Sequence, residues 1–377
     1  MMIVRRFSLV LGVFLLLASP LLTNLVFWGA ISVGDLAFII SLMLSFLFFK
    51  KPAALLYCTA SLLIVIVSFF SIYMHGDVYP SFYRAAFYLV ALAVYAGMSA
   101  NYYFLFSRMY IVFSLAVSAF LILRVIFFYA GINWFEFSTP WPTYEVDAVK
   151  LADIKNQGFR TGGFFREPSY FVIYVTPALF LLAADKRLLS LAFIGFACVL
   201  STSSLGIAIF LLSIGYLIYK SVAVAAVSGI ALLFSVVPIA ISMLYLLHDL
   251  PGMDRFFVIF SSGGTLNDRF FPLLEISAAV TGLLVDPVLH SEVSNANPAI
   301  NWYNSLIYIL GMFGLLGVSF VFLLSLRLGF LGATVLLLYL SMTSLFSSSY
   351  IGVFFVGFYC VRLLFLNALE KSEASNV

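Results

Sequence analysis

Long apolar runs separated by short polar breaks fill most of this 377-residue chain. Hydrophobic residues make up 64% of the sequence and charged residues only 9%. A soluble fold cannot bury so many apolar side chains, and no polar stretch is long enough to form a separate soluble domain. Because one membrane crossing takes about 20 residues of helix, the sequence predicts an all-α integral membrane protein with a single polytopic domain over residues 1–377.

The apolar runs predict about twelve transmembrane helices. The run at 188–219 is too long for one crossing, and the cluster Ser201-Thr202-Ser203-Ser204 divides it into two short helices that meet at an outer turn. The other helices are predicted at about 7–27, 30–49, 53–73, 78–100, 109–131, 169–185, 222–247, 303–326, 328–346 and 351–366. Arg5-Arg6 ahead of the first run also fits a signal peptide, but a retained first helix is favoured because no small-residue cleavage site stands out.

Basic residues indicate the orientation of these helices. When both termini lie in the cytoplasm, one side of the membrane receives Arg5, Arg6, Lys50, Lys51, Arg108, Lys186, Arg187, Lys220, Arg327, Arg362 and Lys371. This distribution agrees with the excess of Lys and Arg in cytoplasmic loops. Two polar segments, at 131–169 and 247–302, then face the outer side.

The second outer segment includes a mostly apolar stretch, 269–289, that contains Glu275 and Asp286. The stretch is too short and too polar to be predicted as a membrane crossing. It predicts an amphipathic helix lying on the outer surface, where it would cover a cavity between the transmembrane helices. A re-entrant or membrane-crossing segment is the alternative interpretation.

The first outer segment ends in the sequence Arg160-Thr-Gly-Gly-Phe-Phe-Arg-Glu-Pro-Ser169. Gly162-Gly163 lets the backbone bend tightly or approach a ligand closely. Pro168 suits the first turn of the helix that follows, where a backbone N–H is not needed, and Glu167 stands beside the positive end of that helix.

Arg160 and Arg166 are candidate ligand-binding residues, because cations on the outer side run against the positive-inside bias. A guanidinium group binds phosphate through two parallel hydrogen bonds and stays charged at any working pH. The two arginines therefore point to a pyrophosphate at the outer leaflet. The alternative is that they form ion pairs with neighbouring residues or contact lipid head groups.

The second outer segment supplies Arg255, Asn267-Asp268-Arg269 and His290. Arg269 opens the predicted amphipathic helix and would face the same cavity as the first segment. His290 is a candidate general base, since the ordinary pKa of histidine lies near neutrality. Arg124, within the fifth predicted helix, either reaches the membrane interface along that helix or lines the cavity. Asp35 and Arg84 are interpreted as residues near the membrane interface.

Several chemistries find no support in the sequence. Cys58, Cys198 and Cys360 all lie in apolar runs, so neither a disulfide framework nor a metal cluster is indicated. There is no phosphate-binding Gly-rich loop with a lysine and no nucleotide-binding pattern. We therefore expect no metal, no cofactor and no nucleic-acid partner.

The chain resembles the Wzy-type O-antigen polymerases and the related O-antigen ligases. The resemblance rests on the number of spans, on the Arg160–Ser169 stretch before a span and on Ser-Thr-Ser-Ser-Leu-Gly at the split helix pair. It also rests on Asn-Asp-Arg269 in the second outer segment, followed by Tyr303-Asn304-Ser-Leu-Ile-Tyr-Ile-Leu-Gly-Met-Phe-Gly-Leu-Leu-Gly317. The motifs are short, and the similarity is spread over most of the chain from about residue 100 onward.

The resemblance implies a metal-independent glycosyltransferase of the bacterial inner membrane that acts in lipopolysaccharide biosynthesis. Such an enzyme moves a growing glycan from undecaprenyl pyrophosphate onto an incoming lipid-linked repeat unit at the periplasmic face, among membrane lipids. By the resemblance, Arg160 and Arg166 match the first-loop arginines that hold the pyrophosphate, and Arg269 matches the second-loop arginine. The expected substrate-binding residues are Arg255, Arg124, Asn304 and Gly163. Whether a chain-length regulator binds, and which sugars are used, stays open.

One departure from the ligase pattern bears on the activity. Ligases have His-Asn where this chain has Tyr303-Asn304, and the ligase histidine is thought to act on the acceptor. Its absence favours a polymerase over a ligase and leaves the general base open among His290, Tyr303 and Glu167. A lipid-linked oligosaccharide flippase is a third possibility, although it would be expected to place charged residues along the helices at the midplane. A channel would need a filter or a ring of charges, which the sequence lacks.

Overall fold

The computed structural model of this protein describes residues 2–28, 31–49, 52–74, 78–132, 162–165, 167–201, 203–222, 305–343 and 345–374. These residues are mainly helical, with one short antiparallel strand pair. The arrangement is compatible with an all-α membrane protein. The predicted helix at 222–247, the predicted amphipathic helix at 269–289 and most of both outer segments lie outside the described residues.

The described residues up to 132 form five helices and a small hairpin. Helix α1 (Met2–Ala18) is followed by a 3₁₀ turn (Ser19–Leu22) and by the strands β1 (Val26–Trp28) and β2 (Ile31–Ser32), which pair antiparallel. The helices that follow are α2 (Val33–Phe46), α3 (Pro52–Tyr73), α4 (Pro80–Tyr95) and α5 (Ala100–Tyr129).

The remaining described residues form six further helices. Helices α6 (Pro168–Ala184), α7 (Leu188–Leu200) and α8 (Ser204–Val222) follow the first outer segment. Helix α9 (Ser305–Ser325) leads through a 3₁₀ turn (Leu326–Leu328) to α10 (Gly329–Met342). A second 3₁₀ turn (Leu345–Ser347) precedes α11 (Tyr350–Ala374).

The chain divides into two compact units. The first unit comprises Met1–Pro20, Gly34–Phe106 and Ser262–Arg362, and the second comprises Leu21–Val33, Ser107–Ser261 and Leu363–Val377, in each case where the chain is described.

The core of the first unit is rich in aromatic rings. Helix α9 packs against α3, α4 and α10. Phe38 of α2 is fully buried and meets the rings of Tyr88 and Tyr95 of α4 edge-on, at centroid distances of 5.4 and 5.8 Å. Ser41 Oγ donates a 2.6 Å hydrogen bond to the carbonyl oxygen of Gly12, which joins α2 to α1. Large rings and small residues thus interlock in this core, as they do where helices pack in lipid.

Helix α6 is the central element of the second unit. Its residues from Phe171 to Ala184 are all buried, and it packs against both α7 and α8. A helix that is apolar on every side belongs in the interior of a bundle. Pro177 removes one backbone N–H from this helix. In the turn before it, Thr176 Oγ1 donates to Val172 O at 2.7 Å, and the hydroxyl of Tyr110 from α5 donates to Tyr174 O.

Within the described residues, four helical stretches are long and apolar enough to cross a membrane: Arg5–Leu22, Leu55–Tyr73, Ala100–Tyr129 and Ser305–Ser341. Shorter apolar helices, of 10–17 residues, are Val33–Phe46, Pro168–Ala184, Leu188–Leu200, Leu205–Tyr219 and Tyr350–Leu366. Helix α3 has an exposed apolar face. Its residues Leu55, Leu56, Leu63 and Phe70 are each at least 58% exposed. An exposed apolar face of this extent suits contact with lipid.

Several predicted boundaries agree with the structure and some do not. Helix α6 begins at Pro168 as predicted, and the run at 188–219 is divided at Ser201–Ser204 as predicted. The first helix was expected to continue to residue 27, but it ends at Ala18 because Pro20 breaks the ladder and the hairpin follows. Helix α9 was expected to be continuous, but it is interrupted at Gly314, where φ is 62° and ψ is −163°.

Candidate functional site

The Gly162-Gly163-Phe164-Phe165 stretch forms a closed reverse turn immediately before α6. The N–H of Phe165 donates to Gly162 O at 3.2 Å, and the two residues form an antiparallel bridge. Gly163 has a positive φ of 69° and Phe164 does not, which matches the glycine requirement of a type II′ turn. A Cβ atom at Gly162 would stand only 2.5 Å from the carbonyl oxygen of Glu167. The predicted tight bend at Gly162-Gly163 is therefore confirmed.

Two side chains donate hydrogen bonds to the middle of this turn. Arg124 Nη1, from α5, donates to Gly163 O at 2.6 Å. Asn24 Nδ2, from the segment just before β1, donates to the next carbonyl, Phe164 O, at 3.3 Å. The Arg124 side chain is partly buried, whereas the Asn24 contact is exposed. Two separate elements of the second unit thus hold consecutive carbonyl groups of one turn.

The two phenylalanines of the turn have different surroundings. The ring of Phe164 is stacked on that of Phe120 in α5, with centroids 3.8 Å apart and planes 16° apart. Phe165 is 4% exposed and packs beside Phe171 and Tyr174 of α6, at centroid distances of 6.1 and 5.2 Å. The turn is therefore packed against α5 through one ring and against α6 through the other.

Glu167 occupies the N-cap position of α6, and Pro168 follows at the first helical position. The carbonyl of Glu167 accepts the N–H of Tyr170 at 3.1 Å, and Ser169 Oγ donates to the Glu167 carboxylate at 3.4 Å. A carboxylate at a helix N-terminus interacts favourably with the helix dipole. The predicted places of Pro168 and Glu167 at the start of this helix are confirmed.

The described residues include part of the set expected from the sequence. Gly163, Arg124 and Glu167 are described, and the structure joins the first two directly. Arg160, Arg166, Arg255, Arg269, His290, Tyr303 and Asn304 lie outside the described residues, so their expected roles stay predictions. Within the described ranges, no group of three or more His, Cys, Asp or Glu side chains is placed to hold a metal ion.

Asn24 was missed by reasoning from sequence. It is 140 residues from Phe164 in the chain, and a single asparagine beside an apolar run gives no sign of a distant partner. Asn24 lies between the Ser19–Leu22 turn and β1. The sequence had predicted a transmembrane helix over this stretch.

A second polar group lies in the first unit, where sequence reasoning expected unrelated interfacial residues. Asp35 Oδ2 is 3.4 Å from Arg84 Nη2, and the hydroxyl of Tyr88 donates to Asp35 Oδ1 at 2.7 Å. Tyr88 is 1% exposed. Opposite charges on neighbouring apolar helices are expected to pair, and that was the signal available in the sequence. Here the pair joins α2 to α4.

Comparisons of this chain with models of protein families, with curated proteins and with solved structures found no match.

Proposed function

We propose that this protein is a polysaccharide polymerase of the bacterial inner membrane, a metal-independent glycosyltransferase that uses lipid-pyrophosphate donors. In this proposal about twelve helices cross the membrane, both termini lie in the cytoplasm, and the segments 131–169 and 247–302 face the periplasm. The apolar helices of the structure support a membrane location. The sidedness rests on the distribution of Lys and Arg.

The observation that carries the proposal is the closed turn between Gly162 and Phe165 at the start of α6. Arg160 stands two residues before this turn in the sequence, and Arg166 directly follows it. A guanidinium group binds phosphate through two parallel hydrogen bonds, so two arginines that flank one closed turn in the sequence suit a single diphosphate. Fixed cations of this kind stabilise the charge that develops on a leaving group, which is the role a metal ion has in other enzymes.

The proposed reaction transfers a glycan between two lipid carriers. The bond between the anomeric carbon of the donor glycan and the pyrophosphate oxygen breaks, and undecaprenyl pyrophosphate leaves with the bonding electrons. A hydroxyl group at the non-reducing end of the incoming repeat unit forms the new glycosidic bond and loses its proton. Arg160, Arg166 and Arg269 are proposed to bind the departing pyrophosphate. His290, Tyr303 and Glu167 are the candidates for accepting the proton.

Deletion of the gene in a host that displays the glycan separates the candidate activities. Loss of a polymerase leaves single repeat units attached to the surface acceptor, whereas loss of a ligase or a flippase leaves none attached. We expect single repeat units. A surface without any attached glycan would replace the polymerase proposal with one of the other two.

The site assignment is tested by Arg160→Ala, Arg166→Ala and Arg269→Ala in the complemented deletion strain. We expect each variant to reach the membrane in normal amounts and to lose long chains, because removing one charged contact to a leaving group costs about 10²–10³ in rate. Arg108→Ala, at an exposed position of α5, is the matched control and should keep the wild-type chain-length ladder. Wild-type ladders from Arg160→Ala and Arg269→Ala would refute the assignment.

A further inference from the structure

The middle of the turn before α6 depends on donors from outside the turn. The turn closes through Gly162 O and the N–H of Phe165, so this hydrogen bond uses neither Gly163 O nor Phe164 O. Carbonyl groups in a largely apolar protein require partners, because leaving one unsatisfied costs free energy comparable to a lost hydrogen bond. Arg124 supplies the partner for Gly163 O, and Asn24 supplies the partner for Phe164 O.

Arg124 is an unusual side chain for this task. It lies on α5, a 30-residue helix that is otherwise apolar around it, and a charged residue in such a helix is costly. Its Nη1 atom nevertheless donates to a main-chain carbonyl, at 2.6 Å. One turn earlier on the same helix, the Phe120 ring is stacked on Phe164. Two neighbouring positions of α5 therefore contact two neighbouring residues of the turn.

We propose that Arg124 and Asn24 are positioning residues that hold the Gly162–Phe165 turn in place, and that binding of a lipid pyrophosphate depends on this held turn. This inference rests on the proposed function for its ligand, but not for the contacts themselves. In this inference Arg124 acts through its hydrogen bond to the backbone of the turn. It also makes the segment just before β1 part of the binding site, through the neutral side chain of Asn24.

The experiment compares full-length variants purified into lipid nanodiscs. Arg124→Met keeps the length and the apolar stem of the side chain and removes its donors. Because it removes a partly buried charge, it is not expected to unfold the protein. Arg124→Lys keeps a cationic donor with a shorter reach. Asn24→Ala removes the second donor, and Arg108→Met is the matched control on the same helix.

Two readouts are measured on each variant. Hydrogen exchange of the backbone, followed by mass spectrometry, reports on the peptide that spans residues 160–168. Binding of farnesyl pyrophosphate, a short lipid pyrophosphate, is followed by tryptophan fluorescence. A role confined to overall stability would raise exchange in α6, α7 and α8 as well and would lower the amount of binding-competent protein without changing the dissociation constant.

For Arg124→Met we expect exchange at 160–168 to rise by roughly threefold to tenfold, the effect of one lost hydrogen bond, with the helices unchanged. The dissociation constant for farnesyl pyrophosphate should rise by a similar factor. Arg124→Lys should restore part of both values, Asn24→Ala should show smaller changes in the same direction, and Arg108→Met should match the wild type.

Three results would overturn the inference. Unchanged exchange at 160–168 in Arg124→Met would show that the side chain does not hold the turn. Raised exchange with wild-type affinity would show that ligand binding does not depend on the held turn. Weakened binding with unchanged exchange would make Arg124 a direct ligand instead. Failure of the wild-type protein to bind farnesyl pyrophosphate would count against the proposed function, and the exchange data would still decide whether Arg124 and Asn24 hold the turn.

Discussion

Lys186 illustrates what a single residue contributes to this fold. It joins α6 to α7 with a φ of 57°, a left-handed conformation that residues other than glycine rarely adopt. Its N–H donates to Ala183 O at 3.2 Å, and the N–H of Arg187 donates to Leu182 O at 3.0 Å. These two bonds are those of the Schellman motif that ends a helix. The motif forms here with a lysine at the position where glycine is preferred.

We predict that Lys186→Gly stabilises the protein. The left-handed conformation costs a residue with a Cβ about 1–2 kcal/mol. Part of this gain is offset by the greater freedom of glycine in the unfolded chain, which leaves roughly 0.5–1 kcal/mol. The measurement is the midpoint of thermal unfolding in detergent. Lys186→Ala removes the same charge but keeps the Cβ, so it should show no gain. If alanine stabilises as much as glycine, the charge and not the backbone is responsible.

At the scale of elements, helices α6, α7 and α8 approach one another closely through glycines. A Cβ atom at Gly195 of α7 would overlap the ring of Phe210 of α8. A Cβ atom at Gly206 of α8 would stand 2.8 Å from Val172 Cγ2 of α6. Small residues at such contacts let helices pack in lipid, where dispersion forces and not the hydrophobic effect hold them together.

We predict that Gly195→Ala destabilises the protein by about 1–3 kcal/mol, because the added methyl group overpacks the α7–α8 contact. Phe210→Leu in the same chain should restore part of this loss by making room for it. The two substitutions should therefore be strongly non-additive in thermal unfolding, since they share one contact. A double variant that shows the sum of the single effects would contradict this account of the packing.

The elements also show how far sequence reasoning reaches in this chain. The start of α6 at Pro168 and the division at Ser201–Ser204 were predictable, because proline and a polar cluster end helices for local reasons. The end of α1 at Ala18 also had a local signal, in Pro20, but the hairpin that follows had none, since hydropathy does not distinguish a helix from an apolar hairpin. The tight bend at Gly162-Gly163 was likewise predictable from local composition. The bonds of Arg124 and Asn24 to the turn were not, because they join residues 39 and 140 positions apart.

For the whole molecule, the proposal depends on the side of the membrane that each loop faces. Ile132, just after α5, is 43% exposed, and Leu189, near the turn between α6 and α7, is 90% exposed. We predict that a membrane-impermeant maleimide added to cells with a permeable outer membrane labels Ile132→Cys. Leu189→Cys should react only after the inner membrane is opened. The opposite pattern would place the turn before α6 in the cytoplasm and remove the proposed function.

The native thiols make this labelling experiment clean. Cys58, Cys198 and Cys360 are all buried. The folded wild-type protein should therefore react slowly with maleimide, and denaturation in detergent should release its thiols for reaction. The wild type is thus both the background control for the two cysteine variants and a check that each preparation is folded. Fast reaction of the folded wild type would show that these helices do not pack as described.

The interruption of α9 at Gly314 has a consequence for how this sequence can change. Its φ of 62° and ψ of −163° fall in a region of backbone space that is essentially limited to glycine. Every amino-acid replacement that a single base change in a glycine codon produces carries a side chain. No replacement at position 314 is therefore expected to be neutral. A saturation library selected for function should return only glycine codons there. Positions on the exposed apolar face of α3 should instead tolerate many apolar replacements.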